Sequence, residues 1–215
     1  MKIYKIAQYT KSGLPLKFDV KKKHIDGKGF DIYIFTCKIN GQGKDVGYLK
    51  VGVLQKEKWE EMFGDNVWKF RRKWMGHHEI PDEIINLPTE EQRKKAIIEY
   101  IPTIWSWQDP ESYYKNEFNK ANKRFQFQKE HWVEKPHVDY IQVEEGFRRN
   151  HIGIQLYKFA ANFLNKKFGY KLYRSDLLSD NAKAFHESET TQKELDMTSE
   201  EGGVGYNQDR YFVGV

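Results

Sequence analysis

Residues 138–168 constrain the fold more than any other part of the chain, because they combine a strand, a short turn and a long helix without interruption. Apolar and β-branched residues predict the strand over residues 138–143, and Leu156 and Phe163 fall at helical spacing within residues 152–168. A helix that begins directly after a turn has unpaired backbone N–H groups at its start, with the positive end of its dipole behind them. Because such groups bind anions, the sequence predicts a phosphate site there.

The turn before this helix carries residues suited to an anionic ligand. Arg148 and Arg149 add positive charge directly before the helix. Gly153, in the first helical turn, removes a side chain where a ligand would have to approach the backbone. These features strengthen the prediction of a phosphate-binding loop.

The segment resembles the signature of the GNAT superfamily of acetyltransferases, in which a strand runs into Arg/Gln-x-x-Gly-x-Gly/Ala. Arg148 takes the Arg/Gln place, His151 the place of the first glycine and Gly153 that of the second. The resemblance implies that the helix amides hold the pyrophosphate of coenzyme A and that acetyl-CoA is the acyl donor. The chain departs from the pattern at His151, where the imidazole either crowds the pyrophosphate or contacts a phosphate.

The resemblance continues through residues 175–187, which look like the next strand and helix of the family. There the usual pattern is a small or polar residue followed by Ala-x-x-Leu/Phe-Tyr, with the tyrosine facing the thioester. Matched on Ala182 and Phe185, the tyrosine place falls on His186, whereas a competing register places Ser188 there. We prefer His186 because more positions match in that register.

The resemblance also implies which residues bind the donor, since the family's fourth strand splays from the fifth and the thioester lies in the gap. Backbone groups of the fourth strand would pair with the pantetheine arm, and amides of the turn and helix with the pyrophosphate. The predicted acetyl-CoA-binding residues are Ile141, Gln142, Val143, Arg148, Arg149, Asn150, His151, Ile152, Gly153, Ile154, Ser179, Asn181 and Phe185.

Catalysis in this family is direct attack of an amine on the thioester, which uses a base for the amine proton and an acid for the thiolate. His137 and Asp139 are the candidate bases, because alternate strand residues share a face and both are expected to point with Ile141. His186 is the candidate acid, since a protonated imidazole can donate a proton as tyrosine would. Two tyrosines are alternatives for that role: Tyr173 and Tyr206.

The N-terminal part of the chain predicts strands. Apolar residues alternate over residues 3–7, and β-branched and aromatic residues crowd residues 30–39 and 46–54. Residues 40–43, Asn-Gly-Gln-Gly, predict the turn of a hairpin between the last two strands. Cys37, the single cysteine, is expected on the buried face of a strand rather than as a reactive thiol.

Residues 56–132 change to helical periodicity, and prolines at positions 81, 88, 102 and 110 are expected to divide them into short helices. All six tryptophans lie in this region, between Trp59 and Trp132. An aromatic series at helical spacing predicts a core, and a substrate-binding wall of exposed aromatic residues is the alternative.

The order of these elements predicts an α/β (α+β) fold with a GNAT-like mixed central sheet flanked by helices. After the donor segment we expect a strand over residues 170–177, a helix over 180–194 and a last strand over 210–215. We expect a single domain, 1–215, with three parts: N-terminal strands over 1–55, a helical tryptophan-rich insertion between the third and fourth strands over 56–132, and the acetyl-CoA-binding half over 133–215.

The net charge of +5 is concentrated in the N-terminal quarter, notably at Lys21-Lys22-Lys23, which favours either a nucleic acid partner or a solvated surface. No stretch reaches the length of a membrane span and the start lacks a signal-peptide pattern, so we expect a cytoplasmic protein without a membrane partner. His77-His78-Glu79 does not predict a metal site, because adjacent residues point in different directions.

Three hypotheses of function follow, each from a different class. The first is an acetyl-CoA-dependent N-acetyltransferase whose acceptor is an amine of a small molecule or a macromolecule. The second is an enzyme of the same fold that modifies a nucleic acid or a basic protein. The third is a CoA-binding module without turnover, suggested by His151 and by the histidine at the family's tyrosine place, His186.

Overall fold

The computed structural model describes residues 3–24, 29–41, 43–174, 180–196, 198–200 and 210–213. The strands before residue 55 and every element after residue 133 belong to one compact unit, and residues 55–133 form the body of a second. The first unit contains the sheet and the predicted donor segment. The candidate site therefore lies within that unit.

Seven strands form one sheet in the order β1-β2-β3-β4-β5-β7-β6. The strands are β1 (Leu16–His24), β2 (Asp31–Ile39), β3 (Asp45–Val53), β4 (His137–Val143), β5 (Leu172–Tyr173), β6 (Thr198–Glu200) and β7 (Arg210–Val213). Neighbours from β1 to β4 are antiparallel, β5 is parallel to β4, and β7 is antiparallel to β5 and β6. A mixed α/β fold is thus confirmed, and so is the hairpin that joins β2 to β3.

The strand predicted over residues 3–7 is wrong, and the first strand is β1, where Leu16, Phe18 and Val20 alternate with polar residues. The side chains of a helix hold the earlier segment instead. Asn162 accepts a hydrogen bond from the Tyr4 backbone N–H and donates one to its carbonyl, both at 2.8 Å. These side-chain amides satisfy backbone groups that a neighbouring strand would otherwise satisfy.

The described part of the chain also contains eight α-helices. They are α1 (Lys56–Met62), α2 (Val67–Met75), α3 (Asp82–Ile85), α4 (Glu90–Ile104), α5 (Pro110–Trp132), α6 (Ile152–Phe168), α7 (Asp180–Glu187) and α8 (Glu189–Leu195). The first five lie between β3 and β4, as predicted for the insertion. Among the described residues, no helix combines the length and the apolar character needed to cross a membrane.

Two prolines of the insertion do not act as expected. Pro102 lies inside α4, three residues from the end of the helix, and Pro110 begins α5, which continues for 23 residues. A proline in the first turn costs no helical hydrogen bond, because the N–H groups there have no intrahelical partner. The prediction that these prolines leave only short helices is therefore wrong.

The aromatic residues of the insertion mostly form its interior. Trp59 and Phe70 are fully buried, and the Trp59 ring lies 5.1 Å from that of Phe125 between centroids. Trp68 is buried in a neighbouring cluster. Trp107, which is 79% exposed, is the tryptophan that remains open to solvent. The prediction that the aromatic residues of this region form a core is confirmed for Trp59, Trp68 and Phe70.

The C-terminal elements are shorter than the sequence predicts. The helix expected over residues 180–194 is two helices, α7 and α8, because Ser188 leaves the helical conformation and its side chain accepts a hydrogen bond from the Thr191 N–H at 3.2 Å. Of the strand expected over residues 170–177, Leu172–Tyr173 is a strand, and residues 175–177 lie outside the described residues.

Helix α6 packs closely on the sheet at a glycine of β3. A Cβ atom at Gly47 would lie 3.1 Å from Cγ2 of Ile152 and 3.3 Å from Cδ1 of Leu156, both side chains of α6. Behind this contact, the apolar face of α6 buries its side chains against β2 and β3, where Cys37 lies. Burial raises the pKa of the Cys37 thiol to about 12, which agrees with a structural rather than a reactive cysteine.

Replacing Gly47 with alanine should destabilise the first unit, because the added methyl group forces α6 away from β3. We expect a loss of about 1–3 kcal/mol in the free energy of unfolding. Urea denaturation measures this loss, and Gly43→Ala is the matched control because a Cβ atom there meets no atom within 4 Å. Equal stability of the two variants would contradict the packing argument.

Candidate functional site

Strand β4 contains a β-bulge at Asp139. Lys50 of β3 pairs with Tyr140, but the next residue, Val51, pairs with Val138, so Asp139 is an extra residue on β4. A bulge of this kind shifts the alternation of side chains along the strand. Each residue after the bulge therefore lies on the opposite face of the sheet from the one that strict alternation would give it.

The bulge corrects one prediction about the site. Val138 and Ile141 both pack against the hydrophobic core, whereas His137 and Asp139 lie on the opposite face of the sheet. Ile141 was expected to share a face with the two polar residues, and that expectation is wrong because strict alternation ends at Asp139. Tyr140 joins His137 and Asp139 on the polar face instead.

The polar face brings together three ionisable side chains. Nε2 of His137 lies 3.1 Å from Oδ1 of Asp139, and Nζ of Lys50 lies 3.1 Å from Oδ2 of the same carboxylate. Gly52 makes room for the imidazole, since a Cβ atom there would lie 3.2 Å from Cε1 of His137. The ring of Phe30 meets the imidazole edge-on at 5.6 Å between centroids. The predicted pairing of His137 with Asp139 on one face is thus observed.

The charges around Asp139 indicate different roles for Asp139 and His137. Burial alone would raise the pKa of Asp139, but the hydrogen bond and charge of His137, with those of Lys50, bring it below the usual value. Asp139 is therefore ionised at neutral pH. A carboxylate held at both oxygens is better suited to orient the imidazole than to accept a proton itself.

Strands β4 and β5 pair over a very short distance. His137 and Tyr173 are the one pair in their parallel ladder, and β5 ends at Tyr173. From Val138 to Val143, β4 has no strand partner on that side among the described residues. Within the part of the chain that the structure describes, the N–H and C=O groups of this edge have no strand to pair with, as on an edge strand.

The turn after β4 adopts two left-handed backbone positions before α6 begins. A short 3₁₀ helix spans Glu145–Phe147, and Arg149 and His151 have φ values of 63° and 61°. The first hydrogen bond of α6 runs from the Gln155 N–H to the His151 carbonyl, at 3.1 Å. The amides of the three preceding residues therefore start the helix without an intrahelical acceptor: Ile152, Gly153 and Ile154.

Polar side chains hold the turn in shape. Asn150 Nδ2 donates to the carbonyls of Phe147 and Arg148, each at 3.4 Å, and Arg148 Nε donates to the Val143 carbonyl at 3.3 Å. The side chains of Arg148 and Arg149 are exposed to solvent. The turn thus presents positive charge next to the start of α6.

His151 has a left-handed backbone conformation, with a φ of 61°. A positive φ favours glycine, and histidine is one of the few other residues found in this conformation with some frequency. The imidazole Nδ1 lies 3.5 Å from Oε1 of Glu194, and Lys158 Nζ lies 2.7 Å from the other oxygen of that carboxylate. The sequence leaves open whether this imidazole crowds the pyrophosphate or contacts a phosphate. Its contact with Glu194 on α8 does not decide between the two.

Gly153 of α6 lies against the Phe185 ring of α7. A Cβ atom at Gly153 would lie 3.2 Å from Cε2 of Phe185 and 3.6 Å from Cδ1 of Ile141. A side chain at this position would therefore require the Phe185 ring to shift by a few tenths of an ångström. The approach of a ligand to the backbone of Gly153 stays a prediction.

His186 is buried, with 2% of its surface exposed, and its Nε2 lies 3.0 Å from the Tyr157 hydroxyl. Burial and the nearby charge of Arg174 lower the pKa of His186 to about 4. An imidazole with that pKa is uncharged at neutral pH, which is at odds with the predicted role as a protonated acid. Tyr157 went unnoticed in the sequence, because its place on α6 indicates only a core residue.

The remaining predicted residues are less informative. Ser179 lies outside the described residues, as does the side chain of Asn181. Gln142 lies on the polar face of β4, and Val143 packs against the core. Among the residues that the structure describes, no three histidine, cysteine, aspartate or glutamate side chains are placed to hold a metal ion.

The burial of His186 should make the stability of the protein depend on pH. Between about pH 6.5 and pH 4 the unfolded state binds a proton that the folded state excludes, so stability is lost as the pH falls through that window. When the pH is lowered from 7 to 5, the free energy of unfolding should fall in both proteins. We expect it to fall by about 2 kcal/mol less in His186→Gln than in the unmodified protein. Urea denaturation at the two pH values measures this, with the exposed His78→Gln as control; parallel losses in all three proteins would contradict it.

No protein-family model, curated protein or solved structure matches the chain. The family suggested by Arg148 and Gly153 is therefore a resemblance, and the geometry described above has to support any proposal of function.

Proposed function

We propose that the chain is an N-acetyltransferase that moves an acetyl group from acetyl-CoA to an amine. The observation that carries the proposal is the edge of β4, which pairs with the described part of β5 at His137 alone and continues through a basic turn into the start of α6. An extended donor with a pyrophosphate at one end matches this arrangement in shape and charge. The strand order, with β4 beside a parallel β5, also supports a GNAT-like fold.

The donor would be held mainly by backbone groups. The pantetheine arm contains amides, which can pair with the N–H and C=O groups on the open edge of β4 as a further strand would. The pyrophosphate would lie at the start of α6, where Arg148 and Arg149 supply charge and backbone amides supply donors. Both halves of the donor then contact one continuous segment, residues 138–154.

The chemistry joins an amine nitrogen to the thioester carbonyl carbon and breaks the bond from that carbon to sulfur. The thiolate leaves with the bonding electron pair and takes a proton from solvent, while the amine proton goes to His137. In a neutral imidazole that donates its Nε2–H to Asp139, the basic lone pair is on Nδ1, an atom that is buried in this structure, so the acceptor amine would have to displace its neighbours to reach it. Asp139 fixes that tautomer, and Lys50 fixes Asp139.

Calorimetric titration with acetyl-CoA, and separately with CoA, tests donor binding. We expect saturable micromolar affinity for both ligands, because the phosphate contacts are common to them. Arg149→Asn should weaken both by roughly tenfold, since it removes a charge while asparagine tolerates the left-handed conformation. Arg149→Lys, which retains the charge, is the control. Absence of binding to the unmodified protein at high ligand concentration would exclude the proposal.

Release of the CoA thiol in the presence of a panel of amines tests transfer. We expect His137→Gln to lower turnover by roughly 100-fold or more and to leave the affinity for acetyl-CoA unchanged. Asp139→Asn should also lower turnover, because it changes the tautomer of His137. Binding of acetyl-CoA without transfer to any amine would favour a CoA-binding module, and full activity of His137→Gln would remove that residue as the base.

A further inference from the structure

Two tyrosines form an exposed aromatic surface beside the proposed base. Tyr48 on β3 and Tyr140 on β4 have ring centroids 5.5 Å apart and planes inclined by 30°. Tyr140 is 49% exposed, although it lies within a strand that has a hydrogen-bonded neighbour. The bulge at Asp139 places it there, because strict alternation would have turned it toward the core. We call these two rings the tyrosine pair.

The tyrosine pair is held in place by the strands that carry it. The Tyr140 hydroxyl donates to Oε1 of Gln142 at 3.2 Å, and Tyr48 lies directly opposite Gln142 in the register of β3 and β4. Two rings and a side-chain amide thus form one small surface whose parts support one another. A rigid surface of this kind binds a ligand with little loss of side-chain freedom.

The charged side chains on the two strands that carry the tyrosine pair, β3 and β4, are paired with opposite charges. Every charged side chain on β3 and β4 has an ionic partner: Asp45 lies 3.5 Å from Lys38, and Lys50 lies 3.1 Å from Asp139. Burial raises the pKa of Tyr48, and contact with Tyr140 adds to that effect, so the Tyr48 phenol is neutral at physiological pH. A polyamine or a basic peptide would find no free carboxylate on these two strands.

The tyrosine pair lies on the same face of β4 as His137. Tyr140 lies three positions after His137 along the strand, which is about 10 Å at most for an extended chain. A ring that stacks on Tyr140 can therefore carry an amino group toward His137 on a linker of a few carbon atoms. Aromatic rings prefer an offset or edge-on contact with such a surface.

On the basis of the proposed acetyl transfer, we propose that Tyr48, Tyr140 and Gln142 bind the acceptor, and that the acceptor is an amine carrying an uncharged planar ring. The rings of the tyrosine pair contact the planar part of the molecule. The Gln142 amide contacts a polar substituent of that ring, and the amino group lies toward His137.

The test uses full-length protein with ¹³C-labelled tyrosine, saturated with CoA, and follows the ring signals of Tyr48 and Tyr140 by NMR. The probes are 2-phenylethylamine, its saturated analogue 2-cyclohexylethylamine, and spermidine. We expect saturable shifts of both rings with 2-phenylethylamine, and at least roughly fivefold weaker binding of the other two probes. Shifts with spermidine alone, or equal binding of the aromatic and saturated amines, would overturn the assignment.

Two variants separate a specific site from a general affinity of amines for the protein. Tyr140→Val keeps a residue that favours strands and should weaken 2-phenylethylamine at least roughly fivefold, whereas Tyr9→Val removes a tyrosine that is 61% exposed and should change nothing. If the unmodified protein binds acetyl-CoA but Tyr140→Val binds the amine normally, the acceptor assignment fails while the proposed function stands. If acetyl-CoA does not bind at all, the proposed function fails.

Discussion

The polar face of β4 depends on the β-bulge at Asp139. Without the extra residue, Tyr140 would follow Val138 into the core, and the contacts between β3 and β4 would keep a strict two-residue period. With the bulge, three consecutive residues of β4 have different surroundings. Val138 packs inward, Asp139 holds the imidazole of His137, and Tyr140 faces solvent. The Asp139 side chain, on the extra residue of the bulge, contacts Lys50 of the neighbouring strand at 3.1 Å.

Two histidines of the first unit show how environment divides similar side chains between different roles. His137 lies next to a carboxylate, and the contact of its Nε2 with Oδ1 of Asp139, at 3.1 Å, orients the imidazole. His186 is surrounded by apolar rings and lies near Arg174, and both features oppose protonation. The first residue is suited to proton transfer, and the second holds α7 against α6 through Tyr157.

The sequence predicted the parts of the fold that depend on local patterns. The hairpin between β2 and β3, strand β4 and helix α6 all follow from short-range periodicity and from turn residues, and each is present at nearly the expected position. The pairing of His137 with Asp139 was also predictable, since they lie two residues apart on one strand. Features that depend on a distant partner were not predictable in this way.

Three errors illustrate that limit. Residues 3–7 alternate like a strand, but their backbone is satisfied by Asn162 and Gln155, side chains more than 140 positions away. The bulge at Asp139 exists only relative to β3, so β4 alone gives no sign of it. The buried contact of His186 is with Tyr157, a residue 29 positions earlier in the chain.

The point at which the insertion leaves the sheet has a consequence for how this chain can vary. The Glu134 N–H donates to the Leu54 carbonyl at 2.8 Å, so the two ends of the intervening segment are fastened to each other next to an antiparallel strand pair. A segment closed in this way can gain or lose residues without moving the register of β3 against β4, because the closure entropy changes only slowly with length. The contact of His137 with Asp139 depends on the register of β3 against β4, and it is therefore insensitive to the length of the segment that joins the two strands.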